Sequence, residues 1–134
     1  MIEYQSGVVP ERSQVISLYA VNRWSSANEP DRLMAALAGS DHIECAFHGE
    51  NLVGLANAIS DGNLVVYYPH LLIHPDQQGT GIGRKLMSRM FKKYGDFHQQ
   101  TLLAVSGAAG FYERVGFKKT DAVVSMWIYD GRDH

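Results

Sequence analysis

Between an apolar, strand-like run and a strongly periodic, helix-like run lies His74-Pro75-Asp76-Gln77-Gln78-Gly79-Thr80-Gly81-Ile82-Gly83-Arg84, with glycine at every second position over five residues. No other feature of the chain narrows its possible folds so far. Glycines placed between a strand and a helix let the backbone come close to a ligand. The N–H groups of a helix's first turn lack intrahelical acceptors and carry partial positive charge. Together these make an anion site suited to a pyrophosphate. Arg84 and Lys85 add full charges nearby. In the helix that follows, Ile82, Leu86, Met90 and Tyr94 recur every fourth residue. Arg84, Lys85, Ser88, Arg89, Lys92 and Lys93 take the other sides.

The rest of the chain reads as a succession of short elements. Ile2–Tyr4 suggests an opening strand, and Ser13 suggests a cap for a helix over about 14–22. Asn28 or Glu29 before Pro30 marks a second helix, which stops at Gly39. His42–Phe47 and Leu52–Ile59 read as paired strands around the turn His48-Gly49-Glu50-Asn51. Asp61-Gly62 is a hairpin signal leading into a long strand, Asn63–His74, that Pro69 interrupts with a bulge or an edge. After the glycine-led helix, Thr101–Val105 is a short apolar strand, as in a sheet covered on both faces. A small helix over about 108–115 ends at Gly116, and Val123–Tyr129 reads as a final strand. The order predicts an α/β (α+β) sandwich with a mixed, mostly antiparallel sheet flanked by helices.

Length and composition set the class. The 134 residues fit one domain over 1–134, with an ordinary apolar fraction of 46% and a charged fraction of 19%. No apolar run approaches the roughly 20 residues a membrane helix needs. The N-terminal residues lack a signal peptide's basic start and apolar block. A cytoplasmic protein that does not act on membranes is the expectation. Cys45 is the only cysteine, lies in an apolar run and reads as a buried core thiol. Residues 1–78 hold 3 basic and 9 acidic side chains, and residues 79–134 hold 9 basic and 5 acidic. One part suits an anionic ligand and the other a cationic one. The mildly acidic total and the lack of interleaved aromatics argue against nucleic-acid binding. Asp130, Asp133 and His134 could suggest a metal, but a solvated tail is the simpler reading, so no metal is expected.

Three phosphate-binding patterns compete for the glycine segment. A nucleotide P-loop needs a Gly-Lys-Ser/Thr ending, and here Gly83-Arg84-Lys85 stands instead. A dinucleotide fingerprint spaces its glycines G-x-G-x-x-G, so the third glycine here comes one residue early. The third pattern, Gln/Arg-x-x-Gly-x-Gly/Ala, is met at every specified position by Gln78 to Gly83. Here the chain resembles the GNAT superfamily of acetyl-CoA-dependent N-acetyltransferases. The resemblance covers roughly residues 50–130. It extends upstream to Leu71-Leu72-Ile73-His74-Pro75 and downstream to Gly110-Phe111-Tyr112-Glu113-Arg114-Val115-Gly116-Phe117.

The resemblance implies acetyl-CoA as co-substrate and two splayed central strands with the pantetheine arm between them. It assigns coenzyme contacts to the backbone of Leu71, Leu72 and Ile73 and to Gln78, Gly79, Thr80, Gly81, Ile82, Gly83 and Arg84. It points to Tyr112 as the group that donates to the departing sulfur. Val105 stands where many relatives carry Asn, and Ser106 could substitute through its hydroxyl. His70 is a candidate base, since an imidazole with reference pKa near 6.5 suits the task, though a satisfied structural histidine fits the same position. Trp24 and Glu44 are further pocket candidates. The implied reaction moves an acetyl group to a primary amine, and the acidic N-terminal portion hints at a small cationic molecule. Two rival functions keep the fold: an acyl-CoA sensor without turnover, and acetylation of protein N-termini or lysines. The apolar final run could join a homodimer interface or be buried in the core.

Overall fold

The computed structural model describes residues 1–132, so Asp133 and His134 of the tail lie outside the described residues. Six strands and four α-helices run in the order β1 (Ile2–Ser6), α1 (Arg12–Val21), α2 (Pro30–Ala38), β2 (His42–His48), β3 (Asn51–Ser60), β4 (Val65–Tyr67), β5 (Leu71–Ile73), α3 (Ile82–Tyr94), β6 (Gln99–Thr101) and α4 (Ala109–Arg114). Short 3₁₀ turns at Ser25–Asn28, Pro75–Gln77 and Ser106–Ala108 join some of them. The sheet is mixed and mostly antiparallel: β1 pairs β2, β2 pairs β3, and β3 pairs both β4 and β5, all antiparallel, while β4 pairs β6 in parallel.

β3 carries the fold because both its faces are covered. Its run Leu52–Ala58 is buried throughout, with no alternation of polar residues. On one face α1 and α2 bring Val15, Leu18, Tyr19, Leu33 and Leu37 onto Ile43, Leu55 and Leu72. On the other α3 lays Ile82, Leu86, Met90 and Tyr94 on Ala46, Val53 and Ala56. Each large apolar side chain so buried contributes about 1.5–3 kcal/mol. Cys45 is 1% exposed, and burial pushes its thiol up to about 12.

The interruption expected at Pro69 is a bulge. From Ala56 to Ile59 β3 advances three residues while its partner goes back four, from Leu71 to Tyr67. Asn57 fills the irregularity: its backbone N–H donates to the His70 carbonyl at 3.1 Å, and its side-chain oxygen accepts from the His70 N–H at 3.0 Å.

Three expectations need correction. Ser13 does not cap α1; Glu11 precedes the helix, and the Ser13 hydroxyl donates to the Glu11 carboxylate at 3.0 Å. The strand expected over 101–105 ends at Thr101, because the chain then turns away from β4. Val123–Tyr129 forms no strand. Val123, Val124, Met126 and Ile128 are at least 70% exposed, so this run is not core. Its apolar residues fall on both faces of any strand it could form, and β6 is only three residues long. The segment is instead tied back by Tyr129, whose hydroxyl lies 3.3 Å from that of Ser25.

Candidate active site

The bulge and the parallel pairing together open a gap in the sheet. The β4–β6 ladder runs to Tyr67 and Thr101, and a last bond joins the Tyr68 N–H to the Thr101 carbonyl at 3.1 Å. Beyond it Leu102–Val105 enters no ladder, and among the described residues β5 pairs only with β3. The two neighbouring strands therefore part at this point.

The hydrogen bonds along β5 show which groups face that gap. The His70 carbonyl and the His74 N–H both bond toward β3, to Asn57 and Val53. Antiparallel backbone groups alternate sides, so Leu72 also faces β3 and Leu71 and Ile73 face away, into the gap. Leu72 is buried among the α1 and α2 side chains. Of the three strand residues expected to offer backbone groups to a coenzyme, the structure thus turns two toward the opening and one away from it. The Ile73 carbonyl accepts from Gln78 Nε2 at 3.3 Å, which ties the glycine turn to the strand.

The turn itself needs its glycines. Gly79 and Gly81 have φ of +78° and +92°, a region that glycine enters without steric cost, and no heavy atom lies within 4 Å of where a Cβ would sit on either. Thr80 donates its hydroxyl to the Gln77 carbonyl at 2.6 Å, and Gly81 caps α3. Above both glycines the surface is open, a cradle that a side chain would fill. Gly83 serves a different end: a Cβ there would lie 3.2 Å from the Phe111 ring. Helix α3 and helix α4 touch at this point, so the glycine segment and the stretch containing Tyr112 meet in space. Arg84 is exposed on the first turn of α3.

At the other end of the gap is a cleft of about 260 Å³. Leu71, Val105, Ala108 and Tyr112 form one wall, from the parted strands and α4. Asn22, Arg23 and Trp24, just after α1, form a second, and Arg132 comes in from the chain's end. Tyr112 stacks edge-on with Phe111 and Phe117 at centroid distances of 5.1 and 6.0 Å, and burial pushes its hydroxyl up to about 12. It is therefore protonated at neutral pH and can donate.

Other candidates fall elsewhere. His70 is not among the described residues lining the cleft. Its ring lies edge-on against Trp24, with centroids 5.2 Å apart, and its Nδ1 is 2.8 Å from the Tyr19 hydroxyl. Ser106 is exposed and does not line the cleft, whereas Val105 beside it does. Trp24 is a wall residue, as expected. Glu44 is not: it is 2% exposed, under α3, and accepts from Arg89 Nε at 2.6 Å, from the Ser6 hydroxyl at 2.8 Å and from His42 Nε2 at 2.5 Å. Asn22, Arg23 and Arg132 carry no motif and were not foreseen; only folding brings them together.

Comparison with known proteins agrees with this geometry. Residues 12–126 match the family described as an acetyltransferase (GNAT) domain. The chain belongs to the GNAT acetyltransferase family. An uncharacterised N-acetyltransferase of Gracilaria tenuistipitata var. liui is 37% identical over 81 residues, which are 58% of this chain and 44% of that protein. The chain thus spans less than half the length of the curated relatives it matches. A GNAT-family acetyltransferase from Streptococcus pneumoniae TIGR4 superposes with a TM-score of 0.84 at 27% identity, over 98% of this chain and all of that one. A predicted acetyltransferase from Clostridium acetobutylicum, whose structure contains acetyl-CoA, shares the fold at 15% identity with a TM-score of 0.70, over 94% of this chain and 96% of that one.

Proposed function

We propose that this GNAT chain transfers the acetyl group of acetyl-CoA to a primary amine by direct attack. The observation that carries the reading is that the open glycine turn is tied by Gln78 to Ile73 on the same short strand whose Leu71 lines the cleft with Tyr112. The first-turn N–H groups of α3, with Arg84, would hold the pyrophosphate. Leu71 and Ile73 would hydrogen-bond the pantetheine arm, and an outward N–H would polarise the thioester carbonyl. Bound acetyl-CoA supplies an activated acyl carbon and a thiolate leaving group. Tyr112 donates a proton to that sulfur as the carbon–nitrogen bond forms and the carbon–sulfur bond breaks. His70 accepts the proton the amine loses, through a water beside Trp24. In this role the Tyr19 hydroxyl, 2.8 Å from Nδ1, holds the ring in place.

The test has two parts. Calorimetry with CoA is expected to show binding that weakens about tenfold in Gly81→Ala, because the new Cβ fills the cradle and disfavours the left-handed turn. Free thiol release on adding amines to protein and acetyl-CoA is expected in the wild type. In His70→Ala the limb of the pH–rate profile that a base would govern is expected to vanish. CoA binding without thiol release from any amine would favour the sensor reading, which Val105 in the cleft wall makes the natural rival. No CoA binding at all would remove the proposal.

A further inference from the structure

We infer that the acceptor amine also carries an anionic group, a carboxylate or a phosphate, held by Arg23 and Arg132 at the mouth of the cleft. This rests on the acetyl-transfer reading and names the substrate class for that same site. The first observation is the backbone of Arg23. It is the one non-glycine residue with positive φ among the described residues, at +61°. It follows the end of α1, where its N–H donates to the Ala20 carbonyl at 2.9 Å and the next N–H, of Trp24, donates to the Tyr19 carbonyl at 3.0 Å. This left-handed helix stop is a position that favours glycine. An arginine there accepts local strain at a residue that lines the cleft, and such strain is an indicator of function.

The second observation is charge. Arg132 reaches the same cleft from the far end of the chain, beyond the Tyr129–Ser25 contact. Among the described residues, no carboxylate lines the cleft or pairs with either arginine. By contrast, Arg12, Arg32 and Arg89 pair with Asp31, Glu29 and Glu44. Those pairings take up Asp31, Glu29 and Glu44, three of the nine acids in residues 1–78. The inferred acceptor departs from the cationic molecule that the charge distribution suggested.

The chemistry is consistent with the reaction. A guanidinium offers a planar fork that matches a carboxylate or phosphate. Two of them repel a bare cation, and they favour the neutral form of an amine held nearby, the form that attacks. About 260 Å³ suits a compact molecule with the amine at the Tyr112 end.

The experiment compares phosphoethanolamine, β-alanine, propylamine and putrescine as acceptors by thiol release, in the wild type, Arg23→Gly and Arg132→Gln. Arg23→Gly suits the left-handed turn, so its thermal melt is expected to stay at or above that of the wild type. The wild type is expected to prefer one of the two anionic amines over propylamine and putrescine by about tenfold or more in kcat/KM, as for a charge-assisted contact. Which of them leads tells phosphate from carboxylate. That ratio is expected to fall to within about threefold in Arg23→Gly and to narrow in Arg132→Gln. Preference for propylamine or putrescine in the wild type, or a ratio unmoved in both variants, would overturn the inference. Calorimetry of the two anionic amines with CoA-loaded protein separates the layers. Binding that is lost in the arginine variants, with no thiol released, leaves the anion site standing and removes the acetyl-transfer reading. Turnover of putrescine alone does the reverse.

Discussion

Tyr112→Phe is expected to lower kcat about a hundredfold while leaving CoA affinity within about twofold of the wild type, a size drawn from the usual contribution of general acid catalysis. The substitution deletes one oxygen from a ring held by Phe111 and Phe117, so packing survives. What goes is a donor on the cleft wall, opposite Trp24 and beside Val105. Burial keeps that hydroxyl protonated to about pH 12, so it can supply a proton throughout the range where an amine is neutral enough to attack. The loss is expected in kcat, because on the proposed mechanism the bond would strengthen as charge grows on the leaving sulfur. A steady-state comparison with the best acceptor, with CoA binding measured separately, checks it. An unchanged kcat would take Tyr112 out of the chemistry.

The largest stability effect is expected at Arg89. Burial alone would raise the Glu44 carboxyl, but hydrogen bonds from Ser6, Arg89 and His42, together with the Arg89 charge, hold it below its ordinary value. Arg89→Met removes the guanidinium and leaves a carboxylate that is 2% exposed. The expected cost near neutral pH is about 3–5 kcal/mol, a drop in Tm of roughly 10 °C or more. The pH dependence gives the sign. In the wild type the carboxyl is depressed on folding, so its contribution is present above the unfolded value near 4.3 and is lost as pH falls through the lower folded value. In Arg89→Met the Arg89 hydrogen bond and charge are gone, so the folded value lies higher than in the wild type and the variant's deficit grows as pH climbs past the wild type's folded value. The variant should therefore approach the wild type in acid and fall away from it at neutrality. Thermal melts at about pH 4 and pH 7 test this, and equal losses at both would contradict it. Glu44→Leu on the Arg89→Met background should recover part of the loss, since no buried charge then remains.

Much of this molecule is visible in its residues because the relevant signals are local. The four-residue recurrence of Ile82, Leu86, Met90 and Tyr94 requires an apolar stripe, and all four are buried on β3's face. Proline at Pro69 cannot join a ladder, and the strand breaks there into β4 and β5. Alternating glycines mark a turn that must enter left-handed space, and Gly79 and Gly81 do so. Fold-wide pairing is harder to read. Apolar content in Val123–Tyr129 resembles a strand, but a strand needs a partner edge, and no single segment shows whether one is available. The cleft is the least legible part. Arg23 and Arg132 are far apart in the sequence, and nothing in either neighbourhood marks that both line one cleft. Net charge counts acids without showing which have basic partners, as Asp31, Glu29 and Glu44 do.

The lone thiol has a practical meaning for every assay above. Because Cys45 is closed off beneath α1 and carries its proton well past neutrality, an aromatic disulfide dye should find nothing to react with on the intact chain. Colour then reports CoA set free, with no background from the catalyst. The same dye, added without acetyl-CoA, should colour only once the chain melts, so it distinguishes a variant that has lost its shape from one that has lost its chemistry.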